Sequence, residues 1–143
     1  MHWDEKCLLE LTHHNMFEST DHRSRFHEIL NCYYRAPFFS KGLCKCMYLA
    51  TWDDNHYAEM LGMLNLLTIE GSKNLVPMAE EGAVMAEQSS GADSEIYKLS
   101  TSFINHEPYE TPDLTLLDSD SAHIIRQALT ASRLIDDLPD EFE

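Results

Sequence analysis

Tyr57-Ala58-Glu59-Met60-Leu61-Gly62-Met63-Leu64-Asn65-Leu66-Leu67-Thr68-Ile69 repeats its apolar residues at the interval of a helix. Tyr57, Met60, Leu61, Leu64 and Leu67 fall on one side, and Met63, Leu66 and Ile69 carry the apolar surface most of the way round. A helix apolar on nearly all sides belongs in the middle of a fold. Asp53 or Thr51 is placed to cap its start and Gly71 to end it. The expectation is an all-α protein, a single compact domain built as an irregular bundle of six or seven helices over residues 1–143, with this fourth helix at the centre.

The same periodicity extends in both directions, and no stretch shows the strict alternation and β-branched enrichment of a half-buried strand. A third helix spans about Phe38 to Thr51, with Phe39, Leu43, Cys46, Met47 and Ala50 inward and Lys41 and Lys45 together on another face. Pro37 separates it from a second helix, which runs from about Asp21, is capped by Ser19 or Thr20, and turns Phe26, Ile29, Leu30 and Tyr33 inward. A first helix starts after Trp3 and ends near Asn15, burying Leu8 and Leu11. On the other side, a fifth helix at about Asn74–Gln88 has a stripe of small residues that lets a neighbour approach closely, and Ser89–Ala92 connects it to a sixth at about Asp93–Asn105. Pro108 and Pro112 exclude a regular helix from 106–118, so that segment reads as a long loop. A last helix covers about Ser119–Leu138, Pro139 stops it, and 139–143 reads as a frayed acidic tail.

The chain has 143 residues, 43% of them hydrophobic, with only 5 Gly and 5 Pro, enough to hold one core without disulfides or metal. Its four cysteines, Cys7, Cys32, Cys44 and Cys46, are expected as free and mostly buried thiols. The residues after Met1 are acidic where a secretory signal is basic, and no apolar run is long enough to cross a membrane, so the expected location is the cytoplasm. Formal net charge is −15. Residues 1–50 balance six acids against six bases, whereas residues 51–143 hold nineteen acids and four bases, Lys73, Lys98, Arg126 and Arg133. Such a field disfavours nucleic acid, whose backbone binds basic groups by releasing counterions, and favours a basic partner; it equally serves solubility.

Three clusters bear on chemistry. A carboxylate three residues before a histidine shares one helix face with it and forms half of a di-iron site in some bundles. Glu10 and His13, Asp53 and His56, and Asp120 and His123 fit this spacing, but chance alone gives about one such pair, and Asp53 and Asp120 stand at helix starts, where an acid caps N–H groups anyway. No inward glutamates complete the set, so no metal and no cofactor is expected. Cys44-Lys45-Cys46 suggests zinc, yet a helix turns residues i and i+2 about 200° apart. Finally, the segment from Tyr33 to Tyr57 is dense in aromatic rings and holds Arg35, Lys41 and Lys45. Tyr34, Arg35, Lys41, Lys45, Tyr48 and Trp52 are the candidate binding residues, for an anionic ligand or an acidic peptide; otherwise the lysines pair with acids of the same chain and the rings are core.

No phosphate loop, nucleophile elbow or complete metal-ligand set is present, and no catalytic residue is assigned. The expected function is therefore association: a non-catalytic protein–protein interaction or regulatory module that binds a protein partner or itself, with no nucleic acid and no membrane. The alternative is a small ligand-binding protein or enzyme with a histidine and carboxylate pocket, drawing on His27, His56 or His123. Left open at this level are the oligomeric state and whether the methionine-rich faces around Met60, Met63 and Met85 are core or contact.

Overall fold

Local signals start and stop most helices close to where the sequence predicts, although α6 begins at Gly91, inside the expected Ser89–Ala92 connection. The computed structural model describes residues 1–143 as seven α-helices without a strand: α1 (Trp3–His13), α2 (Thr20–Tyr33), α3 (Lys41–Ala50), α4 (Asp54–Ile69), α5 (Val76–Gln88), α6 (Gly91–Asn105) and α7 (Ser119–Asp136). Side-chain oxygens of Ser19, Ser40, Asp53 and Asp118 accept the free N–H groups of His22, Leu43, His56 and Ser121 at the starts of α2, α3, α4 and α7. Because Ser40 caps α3, Phe38 and Phe39 lie in the preceding turn rather than in the helix. At the ends of α1, α4 and α6, Asn15 (φ 55°), Gly71 (φ 66°) and His106 (φ 55°) adopt the left-handed conformation. The next N–H then closes onto the carbonyl five residues back: Met16 on Leu11 at 3.0 Å, Ser72 on Leu67 at 2.9 Å and Glu107 on Ser102 at 2.9 Å.

The centre is α3, not α4 as the apolar count predicts. Every residue from Gly42 to Ala50 is buried, because α2, α4, α6 and α7 all pack on α3. Its lysines do not reach open solvent. Lys45 Nζ lies 2.7 Å from Asp136 Oδ1 and 5.8 Å from the Phe103 ring centre. Lys41 Nζ reaches the Asp136 carbonyl at 2.9 Å and Asp140 Oδ1 at 2.8 Å, neutralising the negative end of α7. Gly42 permits the tight crossing with α6, since a Cβ there would stand 2.4 Å from the Phe103 carbonyl oxygen.

Helix α4 lies on the flank. It buries Met60, Leu64 and Leu67, chiefly against α3, while Leu66 is 47% and Ile69 74% exposed. Its all-round apolarity therefore comes from two faces, one in the core and one lining an opening. Helix α5 packs mainly on α6, and Gly82 lets it come close: a Cβ there would meet Thr101 Oγ1 at 2.8 Å. No residue of α5 is itself buried.

Residues 106–118 form no regular α-helix, but a single 3₁₀ turn, Leu114–Leu116, interrupts them, and Tyr109, Leu114 and Leu117 pack on the core. Residues 139–143 are not frayed. The Trp3 indole N–H donates to the Pro139 carbonyl at 2.7 Å, the Trp3 backbone N–H donates to the Glu143 carbonyl at 2.8 Å, and Phe142 packs edge-on against Trp3 and Phe39. The aromatic residue inside the acidic segment finds a hydrophobic seat on α1, and that burial holds the strand of chain in place.

Candidate functional site

A groove of about 410 Å³ lies between α4 on one side and α5 and α6 on the other. Each helix supplies a stripe at helical spacing. From α4 come His56, Glu59, Met60, Met63 and Leu66; from α5, Met78, Glu81, Gly82 and Met85; from α6, Ile96, Tyr97, Ser100, Thr101 and Ile104. Four of the chain's 7 methionines line it, and no lysine or arginine does.

At the α4 start of the groove, His56 is held between carboxylates. Its Nδ1 lies 2.8 and 2.9 Å from the two Asp53 oxygens. Since a carboxylate only accepts, Nδ1 carries the proton there. Nε2 faces Asp93 Oδ1 at 3.6 Å, beyond a hydrogen bond. Beside the imidazole, the Tyr97 hydroxyl donates to Glu59, and burial together with that carboxylate pushes the phenol well above its ordinary pKa, so it stays protonated. The arrangement offers an apolar trough with carboxylates, Glu59 and Glu81, among its lining residues. It offers no serine, threonine or cysteine bonded to the imidazole, and no three His, Cys, Asp or Glu side chains converge as metal ligands.

The other sequence candidates are dispersed. Among the carboxylate–histidine pairs only Asp53 and His56 meet, and there Asp53 is the α4 cap. Glu10 instead pairs with His14 at 3.3 Å, and His123 with Glu18 at 3.0 Å. His27 and His123 are exposed outside the groove, so His56 has no second histidine. Of the six aromatic and basic candidates, Tyr48 and Lys45 are buried in α3 and Tyr34 is buried beneath Arg35, whose guanidinium stacks 4.9 Å from its ring centre. Lys41 is engaged at the end of α7, and Trp52 lies half-buried at the turn between α3 and α4, where its carbonyl accepts from Arg25 at 2.9 Å. The six do not form one continuous surface.

Two buried clusters join residues far apart in the chain; the cysteines are the free, mostly buried thiols expected, with partners only the fold reveals. His22, wholly buried, donates from Nε2 to the Tyr48 carbonyl at 2.7 Å and accepts the Glu18 N–H on Nδ1 at 3.2 Å. Burial lowers its pKa from 6.5 to about 4, so it is neutral at pH 7. Cys7 and Cys44 touch at 3.6 Å between α1 and α3, and the Cys46 thiol donates to the Ser100 carbonyl at 3.2 Å. Burial raises the Cys44 pKa well above its usual value and the Cys46 pKa to about 12, which leaves both as inert thiols. Cys44 and Cys46 thus take different partners, as residues about 200° apart on a helix must.

The groove residues Gly62, Glu81 and Tyr97 carry no signal of their own in the sequence, and Met78 reads only as part of an inward stripe. Two features point to the groove: the excess of apolar residues on α4, too many for a helix with one core face, and the methionine-rich faces, of which Met60 is buried in the core while Met63 and Met85 line the opening part-exposed. No helix of the structure is long and apolar enough to cross a membrane. Compared with protein-family models, with curated proteins and with solved structures, the chain matches none.

Proposed function

We propose that this protein acts by association rather than catalysis, as an interaction or regulatory module for a positively charged protein partner. The observation that carries this reading is the groove itself, an apolar trough lined by Glu59 and Glu81 but by no lysine or arginine, with Asp93 beside His56 at its α4 wall. Attraction of a basic surface to a chain of net charge −15 speeds encounter, and the apolar floor contributes the affinity that charge alone does not. Each part accounts for a feature the core does not require: α4 leaves Leu66 47% exposed, and α5, packed mainly on α6, has no residue that is itself buried.

The test is affinity capture from the host extract at low and physiological salt, followed by reconstitution with the purified partner. The expected result is a basic protein bound stoichiometrically, its affinity falling as salt rises. A chain that stays monomeric and recovers nothing at either salt concentration refutes the reading.

A further inference from the structure

We infer that the groove between α4, α5 and α6 seats one amphipathic helix of the partner, apolar on the face turned inward and basic on its flanks. This rests on the association proposed above and adds its geometry. The lining residues lie on three helices at intervals of three and four, so each helix offers the opening one stripe along its own axis, the kind of surface on which another helix packs. From His56 to Leu66 the α4 wall spans ten residues, about 15 Å, which matches roughly three turns of an occupant. Met63, Met78 and Met85, each part-exposed, supply flexible, polarisable side chains that mould to a helix face whose sequence is not matched residue by residue, above the buried Met60.

Charge selects among occupants. Residues 54–105, which hold all three walls, contain eight acidic and two basic residues, Lys73 and Lys98. One of those bases, Lys98, already lies 3.6 Å from Glu95. A second copy of this chain would bring a further −15 against the groove, whereas lysines or arginines beside an apolar stripe meet Glu59 and Glu81 in the lining and Asp93 beside His56.

Gly62 supplies a variant that separates shape from charge. It lies in the groove wall with nothing within 4 Å of a built Cβ, so a side chain there enters the trough without disturbing the fold and improves helix propensity. Gly62→Glu blocks the trough yet makes the surface more negative. The probes are a synthetic peptide of about eighteen leucine and lysine residues with the leucines on one helical face, and an isomer of the same composition with the leucines scattered. Binding is read by fluorescence anisotropy and by the NMR signals of labelled methionine methyl groups.

The patterned peptide is expected to bind at least ~10-fold more tightly than the scattered one, and Gly62→Glu to weaken it at least ~10-fold. Shifts should appear at Met60, Met63, Met78 and Met85 and be absent at buried Met16 and Met47. Equal binding of both peptides with the groove methyls unmoved refutes the helix seat and leaves charge-driven association standing. Failure of both peptides to bind at low salt removes both ideas. A chain that carries a stoichiometric apolar small molecule in native mass spectra, or that dimerises until Gly62→Glu is introduced, assigns the groove to that occupant and overturns the proposal.

Discussion

His22 shows how one buried side chain makes stability depend on pH. The folded state holds it neutral down to about pH 4, while the unfolded chain takes the proton near 6.5. Its contribution is complete above pH 6.5, is lost as the pH falls from 6.5 to about 4, and changes no further below that. By linkage the loss is about 3 kcal/mol. Urea denaturation at pH 7 and pH 4.5 should therefore show the stability gap between wild type and His22→Gln closing by ~2 kcal/mol; parallel declines would show that His22 does not titrate this way. The thiols make a second residue-scale case. Cys32 is exposed, while Cys7, Cys44 and Cys46 are fully buried. One thiol in four should react rapidly with an aromatic disulfide reagent in native buffer, and the remaining three only at the rate of unfolding. Loss of the fast phase in Cys32→Ser would confirm the assignment.

Among the elements, α3 carries the fold and α6 crosses it at Gly42. The 2.4 Å approach of a built Cβ to the Phe103 carbonyl involves backbone, which a rotamer change cannot relieve. Gly42→Ala should cost roughly 3 kcal/mol despite the better helix propensity of alanine, measured as a lower urea midpoint with unchanged slope. A neutral or stabilising effect would mean that α3 and α6 stand further apart than described. The fourth helix behaves oppositely. Gly62 faces open space, so the two glycines, indistinguishable by residue type, have opposite expected responses to substitution.

For the whole molecule the governing quantity is the −15 charge concentrated beyond residue 50. Internal pairs relieve little of it, because the ion pairs that bury a cation are Arg25 with Asp54, Lys41 with Asp140 and Lys45 with Asp136. Self-repulsion should yield to screening, so raising sodium chloride from about 10 to 200 mM is expected to increase unfolding free energy by on the order of 1 kcal/mol. The same salt should weaken partner binding, so stability and affinity would move in opposite directions across one titration. A melting temperature that falls with salt would show that the ion pairs at Lys41, Lys45 and Arg25 outweigh the repulsion.

Periodicity, caps and breakers made the helical class and most helix limits legible along the chain, because they act within a few residues: Ser19 before α2, Asp53 before α4, Gly71 after it. Core faces followed the same rule, as Phe26, Ile29 and Leu30 or Ile96, Leu99 and Phe103 show. Which helix lies at the centre did not follow. Lys41 and Lys45 look like a solvent face until Asp136 and Asp140, about a hundred residues away in sequence, are placed beside them. Likewise Phe142 reads as part of a loose acidic segment until Trp3 and Phe39 receive it. The sequence by itself determined that the chain folds into helices, where most of them begin to within a few residues and which faces are apolar, since those properties are local. Only the tertiary structure decided which apolar faces are covered and which remain open as a groove, because that depends on contacts between residues far apart in the chain.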